Sequence, residues 1–191
     1  MKGLVLAGGQ STRMKCDKAE LVVDGKPLFA RAIDVLKLAG IDAYVSARRN
    51  SHFLDQLEVP VLFDDVKNIG PAAALLRGCR ESPLDDWFVL ACDLPNVTAE
   101  AVRILIDRHL NNDSAEITCF AHADGTPEPL FAIWSPTALS RLRGNVKNGF
   151  WGPMHTLNEC EVQLIAPTTK HLLFNTNTPQ QWMQFQDYSS T

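Results

Sequence analysis

The sequence predicts an α/β fold of three layers, in which a mostly parallel central sheet has helices on both faces. Two observations lead to this prediction. Short runs typical of β-strands alternate along the chain with amphipathic stretches of helical spacing. One of these runs, WFVLAC, is apolar throughout, as expected of a strand that helices cover on both faces of a parallel sheet.

The predicted elements follow in order from the amino terminus. Lys2–Leu6 is expected to be a strand, and KPLFARAIDVLKLAG a helix that stops at Gly40. DAYVSA predicts a strand, SHFLDQL a short helix and VPVLF another strand. GPAAALLRGCR predicts a helix with Pro71 near its first position, and WFVLAC the central strand. Thr98 is then predicted to cap the helix AEAVRILIDRHL.

The last third of the chain is less regular. EITCFA and PLFAIW predict two strands on either side of a long turn at ADGTP. SPTALSRLRG predicts a helix, and EVQLIA predicts one more strand. In NTPQQW, the spacing of Thr178, Pro179 and Gln181 is typical of the capping box that begins a final helix.

Composition argues against several functional classes. A net charge of -4 over 191 residues leaves no basic footprint for nucleic acid. No apolar run reaches the roughly 20 residues of a membrane helix, and MKGLVLAGGQ is too short for a secretory signal. The five cysteines contain no C-x-x-C pair, and no His/Cys grouping indicates zinc. We therefore expect a cytoplasmic protein without nucleic-acid or membrane partners, as a monomer or weak homo-oligomer.

The stretch LVLAGGQSTRMKCDKAEL contains the main functional signal. A strand ends here at Gly8 and Gly9, where the lack of side chains exposes backbone N–H groups to anionic oxygens. Hydroxyl and cationic side chains follow the glycines: Ser11, Thr12, Arg13 and Lys18. Because a triphosphate has several negative charges that must be held and neutralised, this stretch predicts a polyphosphate site.

The pattern of this stretch is neither a P-loop nor a dinucleotide fingerprint. Instead, L-A-G-G-x-S-x-R-M-x-x-D-K resembles the signature of MobA-type molybdenum cofactor guanylyltransferases. It is also similar to the wider GT-A-like nucleotidyltransferases, which include sugar-nucleotide pyrophosphorylases and related cytidylyltransferases. The resemblance implies a Rossmann-like, GT-A-like fold. It also implies one nucleotidyltransferase domain over residues 1–191, with a nucleotide-binding half at 1–98 and an acceptor-side half at 99–191.

Three further stretches extend the resemblance. VLACDLP matches the family's C-D-x-P, where Asp93 would hold a magnesium ion at the end of a central strand. FDDVKNIGPAAALLRG looks like the family's acidic residue before a Gly-Pro helix start, which implies that Asp65, or failing it Asp64, contacts the nucleotide. LFNTNTP resembles the family's N-x-N-T-P and implies acceptor-side contacts from Asn175 and Asn177. Ordinary turn or loop chemistry is the alternative in each case.

The resemblance implies transfer of a nucleoside monophosphate from an NTP to the phosphate of molybdopterin, with release of pyrophosphate and with Mg²⁺ as cofactor. GTP is favoured because L-A-G-G is more typical of guanylyltransferases and L-A-A-G of cytidylyltransferases. The catalytic residues implied are Arg13, Lys18 and Asp93. The residues expected to contact the nucleotide are Leu6, Ala7, Gly8, Gly9, Ser11, Lys18, Asp65 and Asp93.

The chain departs from the family pattern at three places. Lys15 replaces a usual glycine, Ser46 stands where asparagine is frequent, and NGFWGPMHTL replaces a basic cluster. Lys15 and the missing basic cluster keep a non-catalytic nucleotide-binding protein as an alternative. A cytidylyltransferase and a sugar-1-phosphate nucleotidyltransferase are kept as further alternatives, because related enzymes share the same glycine-rich stretch. Glu128, in PEPLFAIW, is a candidate lining residue of the acceptor site, whereas His122 and His155 are given no role as a general base.

Overall fold

The computed structural model of the chain describes residues 1–9, 18–63 and 69–189. Within these ranges the strands are β1 (Lys2–Leu6), β2 (Val22–Val23), β3 (Lys26–Pro27), β4 (Ala43–Ala47), β5 (Val61–Phe63), β6 (Trp87–Ala91), β7 (Ile117–Ala121), β8 (Pro127–Trp134) and β9 (Val162–Ile165). The α-helices are α1 (Leu28–Leu38), α2 (Ala72–Glu81), α3 (Ala99–Leu110), α4 (Pro136–Lys147), α5 (Pro153–Leu157) and α6 (Pro179–Ser189).

Seven of these strands form one sheet, in the order β5-β4-β1-β6-β8-β7-β9. β5, β4, β1 and β6 are mutually parallel, and β7 is parallel to β9. Only β8 runs against its neighbours among the strands of this sheet, because it is antiparallel to both β6 and β7. β2 and β3 form a separate small ribbon. The mostly parallel sheet agrees with the prediction.

Alternate residues of a strand pack on opposite faces of the sheet, in two different apolar clusters. In β1, Val5 packs with α1 and α3 in one apolar cluster, while Leu4 packs with α2 and α4 in another. Successive side chains of a strand point to opposite faces, so one short strand serves both cores. β6 is buried at all five positions, which is why its sequence is apolar throughout. The result is the three-layer arrangement that the alternation predicted.

Two helix starts have the predicted caps. Thr98 Oγ1 accepts a hydrogen bond from Ala101 N at 3.2 Å, before α3. Thr178 Oγ1 accepts from Gln181 N at 3.2 Å, while Gln181 Oε1 accepts from Asn177 N at 2.9 Å. The bonds to Thr98 and Thr178 each satisfy a backbone donor that the first helical turn leaves without a partner, while the bond from Asn177 N ties the residue before the cap to the helix.

Some elements differ from the expectation. SHFLDQL forms only one turn of 3-10 helix, at Leu54–Gln56. β8 begins before the predicted PLFAIW and includes Pro127 and Glu128. Neither the β2–β3 ribbon nor α5 is among the predicted elements, because two residues are too few to show strand alternation and five are too few to show helical periodicity. In the part of the chain that the structure describes, no helix has both the length and the apolar character to cross a bilayer.

Replacing Thr98 by alanine should lower the free energy of unfolding by about 1 kcal/mol, because the N-terminal turn of α3 loses its side-chain acceptor. Urea unfolding followed by far-UV circular dichroism measures this change. Thr168→Ala, at an exposed position outside the helices, is the matched control. Equal midpoints for the two variants would show that the cap does not stabilise the fold.

Candidate active site

The candidate site lies where β1 and β6 end side by side. β1 pairs with β4 on one side and β6 on the other, so the order of the strands reverses between β1 and β6. In open α/β sheets, ligands bind beyond the carboxyl ends of the strands at such a point. Gly8 and Gly9 follow β1 there, and Asp93 follows β6.

The residues that leave β1 remain attached to the sheet at first. Ala7 N donates to Ser46 O at 2.9 Å, and Cys92 N donates to Leu6 O at 3.3 Å. The exposed Gly9 comes next, and a methyl group placed on its Cα would meet no described atom within 4 Å. Contacts with the described residues therefore do not explain why this position is a glycine. A ligand that approaches the backbone closely would explain it.

Asp93 and Lys18 form an ion pair at the ends of these strands. Lys18 Nζ lies 3.7 Å from Asp93 Oδ2, and just under one fifth of each side chain is exposed. Asp93 Oδ1 is buried and accepts no hydrogen bond from the described residues. Burial raises the pKa of the Asp93 carboxyl, the Lys18 charge opposes that shift, and the nearby Glu128 charge adds to it.

A segment from the far end of the chain holds this ion pair in place. The fully buried Thr176 donates to the main-chain oxygen of Asp93 twice, from its backbone nitrogen at 3.0 Å and from Oγ1 at 3.1 Å. Next to it, Asn177 Oδ1 accepts from Lys18 Nζ at 2.5 Å. Asn177 was predicted as an acceptor-side contact, and the structure places its amide on the catalytic lysine candidate.

A second carboxylate lies near Asp93. Glu128 is 8 % exposed, and its Oε1 accepts from Leu130 N at 3.1 Å. Its Oε2 accepts from His122 Nε2 at 3.2 Å and from Asn175 Nδ2 at 3.5 Å. Sequence reasoning gave His122 no role. No local motif marked it, because its partner Glu128 lies on the next strand.

Several predicted site residues lie outside the described residues: Ser11, Arg13, Asp65 and its alternative Asp64, together with the atypical Lys15. Those that the structure brings together are Lys18, Asp93, Asn175 and Asn177. Among the described residues no group of three or more His, Cys, Asp or Glu side chains is arranged to hold a metal ion. Among the described residues, Asp93 is therefore the carboxylate that we expect to bind a cation, together with oxygens of a bound phosphate.

The fold and the charged site at the switch point define the class: a nucleotidyltransferase with a GT-A-like fold. The chain belongs to the family of the MobA-like NTP transferase domain, which matches residues 3–153. This membership confirms the resemblance seen in the sequence. It also supports an enzyme over the non-catalytic alternative.

Individual relatives agree with this assignment. The chain is 32% identical over 184 residues to a molybdenum cofactor biosynthesis bifunctional protein of Synechocystis sp., covering 95% of this chain and 52% of that protein. It thus spans about half the length of that relative. It is 29% identical to a molybdenum cofactor guanylyltransferase of Yersinia pestis, covering 93% of this chain and 90% of that protein. The solved structure of molybdopterin-guanine dinucleotide biosynthesis protein A from Archaeoglobus fulgidus superposes with a TM-score of 0.83 at 22% identity, covering 100% of this chain and 99% of that one.

Replacing Asp93 by asparagine should raise the free energy of unfolding at neutral pH in a metal-free buffer, because the amide avoids the cost of burying a charge. A carboxyl whose pKa is raised by folding stabilises the fold only while it is protonated. The advantage of the variant should therefore disappear as the pH falls below the ordinary pKa of 3.8.

Urea unfolding at a series of pH values, with a chelator present, measures this difference. Asp113→Asn, at an exposed position, is the control and should leave stability unchanged at every pH. Lower stability of the Asp93 variant at neutral pH would mean that attraction to Lys18 outweighs the burial cost.

Proposed function

We propose that this protein transfers the GMP group of GTP to the phosphate of molybdopterin and releases pyrophosphate, with Mg²⁺ as cofactor and in the cytoplasm. The names of its relatives support this acceptor, and the L-A-G-G sequence supports GTP. The observation on which the proposal depends most is the pairing of Lys18 with a partly buried carboxylate at the switch point of the sheet.

The proposed reaction is a single displacement at phosphorus. An oxygen of the acceptor phosphate attacks the α-phosphorus of the nucleotide and forms the new P–O bond. The bond from the α-phosphorus to the bridging oxygen breaks, and its electron pair leaves with pyrophosphate. The attacking oxygen is already an anion, so the protein needs to supply alignment and positive charge rather than a covalent nucleophile.

Asp93 fits the role of a magnesium ligand. Its Oδ1 is a hard oxygen donor, buried and without a partner among the described residues, although a buried acceptor normally has one. Mg²⁺ binds proteins through one or two carboxylates plus phosphate oxygens and water. When bound, the cation would neutralise charge on the phosphates.

Lys18 fits the role of the residue that stabilises the leaving pyrophosphate, together with Arg13 in our proposal. Its ammonium group lies between Asp93 Oδ2 and Asn177 Oδ1. Asn177 therefore limits the positions that the long lysine side chain can adopt. An ammonium held in advance near the phosphates stabilises developing charge without the cost of ordering it during the reaction.

Asp93→Ala should reduce pyrophosphate release about a thousandfold or more while leaving the fold intact, because the cation loses its protein ligand. A coupled pyrophosphate assay measures the rate, and far-UV circular dichroism checks the fold. Asp113→Ala, which removes an exposed carboxylate, is the control and should keep full activity. Full activity of the Asp93 variant would show that this residue is not the magnesium ligand.

The base and the acceptor are tested together in a panel of GTP, CTP, ATP and UTP with Mg²⁺, each with molybdopterin, with glucose 1-phosphate or with no acceptor. We expect pyrophosphate release with GTP and molybdopterin. Release with CTP and molybdopterin would identify a cytidylyltransferase instead. Release that depends on the sugar phosphate would identify a sugar-1-phosphate nucleotidyltransferase.

Lys18→Met should bind free Mn²⁺ about tenfold more tightly than the unaltered protein, because a cation 3.7 Å from Asp93 Oδ2 is removed. Electron paramagnetic resonance of unbound Mn²⁺, in the absence of nucleotide, gives this affinity. Lys37→Met removes an exposed lysine of α1 and should leave the affinity unchanged. Equal or weaker Mn²⁺ binding by the Lys18 variant would contradict the placement of the cation at Asp93.

A further inference from the structure

Glu128 differs from the other acidic residues that the structure describes, because it alone is buried. A buried carboxylate is costly unless hydrogen bonds compensate for the lost water. Glu128 has three such bonds, from the backbone of Leu130 and from the side chains of His122 and Asn175. Through these bonds, Glu128 connects its own strand β8 with the turn after β7 and with the segment that precedes α6.

This group of side chains lies at the same end of the sheet as the nucleotide site. The antiparallel ladder of β6 with β8 ends with Leu90 opposite Phe131. Asp93, three residues beyond Leu90, and Glu128, three residues before Phe131, therefore lie at the same end of the sheet. The Glu128 charge also acts on Asp93, where it raises the pKa of the carboxyl. Asn175 is separated from Asn177, the partner of Lys18, only by the buried Thr176.

The hydrogen bonds to Glu128 determine which atoms remain for a ligand. A carboxylate only accepts, so His122 Nε2 and Asn175 Nδ2 must be the donors. This leaves Nδ1 of His122, which accepts a hydrogen bond while the ring is neutral, and Oδ1 of Asn175, which accepts beside the second N–H donor of the same amide. Neither atom has a partner among the described residues, and both side chains are partly exposed.

We propose that Glu128 is a positioning residue that orients His122 and Asn175 toward the acceptor substrate, and that these two side chains contact it. The inference rests on the proposed function and extends it to the chemistry of the acceptor. Asn175 offers an acceptor and a donor, and His122, bound to the same oxygen of Glu128, offers a second acceptor while its ring is neutral. This mixed set matches the polar edge of a ring better than it matches a phosphate, whose ionised oxygens only accept. The acceptor is therefore bound by the polar edge of its ring, while its phosphate faces the nucleotide.

The test compares Michaelis constants of Glu128→Gln with those of the unaltered protein. Glutamine keeps the shape and can still accept from Leu130 N, but its amide nitrogen cannot accept from His122 or Asn175. The KM for the acceptor should rise about tenfold, while the KM for GTP should stay within about twofold. His122→Phe, on the partly exposed turn, is the second variant and should show the same pattern if Glu128→Gln fails to fold.

The chain offers a matched control in a second His–Glu pair. His155 Nε2 lies 3.4 Å from Glu159 Oε1, and about two fifths of each side chain is exposed. Glu159→Gln makes the same chemical change there and should leave both Michaelis constants unchanged. Thermal unfolding of all variants separates loss of stability from loss of acceptor binding.

The outcomes distinguish this inference from the proposed function. If molybdopterin is the acceptor and its KM is unchanged in both variants, or if the KM for GTP rises equally, the inference alone is overturned. If the unaltered protein uses glucose 1-phosphate and not molybdopterin, the proposed acceptor is wrong. In that case a selective rise of the KM for the sugar phosphate supports the inference, and an unchanged KM overturns it. Failure to use any acceptor overturns both.

Discussion

The ion pair between Asp93 and Lys18 is the interaction on which the rest of the site depends. It places a carboxylate where water is largely excluded, and burial of a charge is tolerated only when an opposite charge and hydrogen bonds accompany it. Lys18 supplies the charge, while Asn177 holds the lysine and Thr176 holds the backbone of Asp93. The site thus maintains a cation and an oxygen, Asp93 Oδ1, that has no hydrogen-bond partner among the described residues, at the end of the central strand.

The direction of one strand explains why the site has a second carboxylate. Because β8 is antiparallel to β6, it begins at the edge of the sheet where β6 ends. The first residues of β8 therefore lie next to the candidate site at Asp93, and Glu128 is one of them. A parallel strand in the same place would have put its first residues at the opposite edge. The single reversal in the sheet allows residues far from Asp93 in sequence to line the same crevice.

The segment before α6 connects the two parts of the site. Asn175 contacts Glu128, Thr176 contacts Asp93, and Asn177 contacts Lys18. The capping box at Thr178 and Gln181 fixes the end of this segment, because Gln181 Oε1 also accepts from Asn177 N. A helix start at the surface therefore helps to determine the positions of three neighbouring side chains in the site.

The sequence by itself determined the fold class, most helix and strand positions, the caps at Thr98 and Thr178, and the family, since each follows from local spacing or a short motif. Only the tertiary structure decided that Asn177 holds Lys18 and that Glu128 holds His122 and Asn175. Those contacts depend on which strands are neighbours and in which direction β8 runs. The spacing of apolar residues in the sequence indicates which residues are buried, but it does not indicate which distant residue each of them contacts.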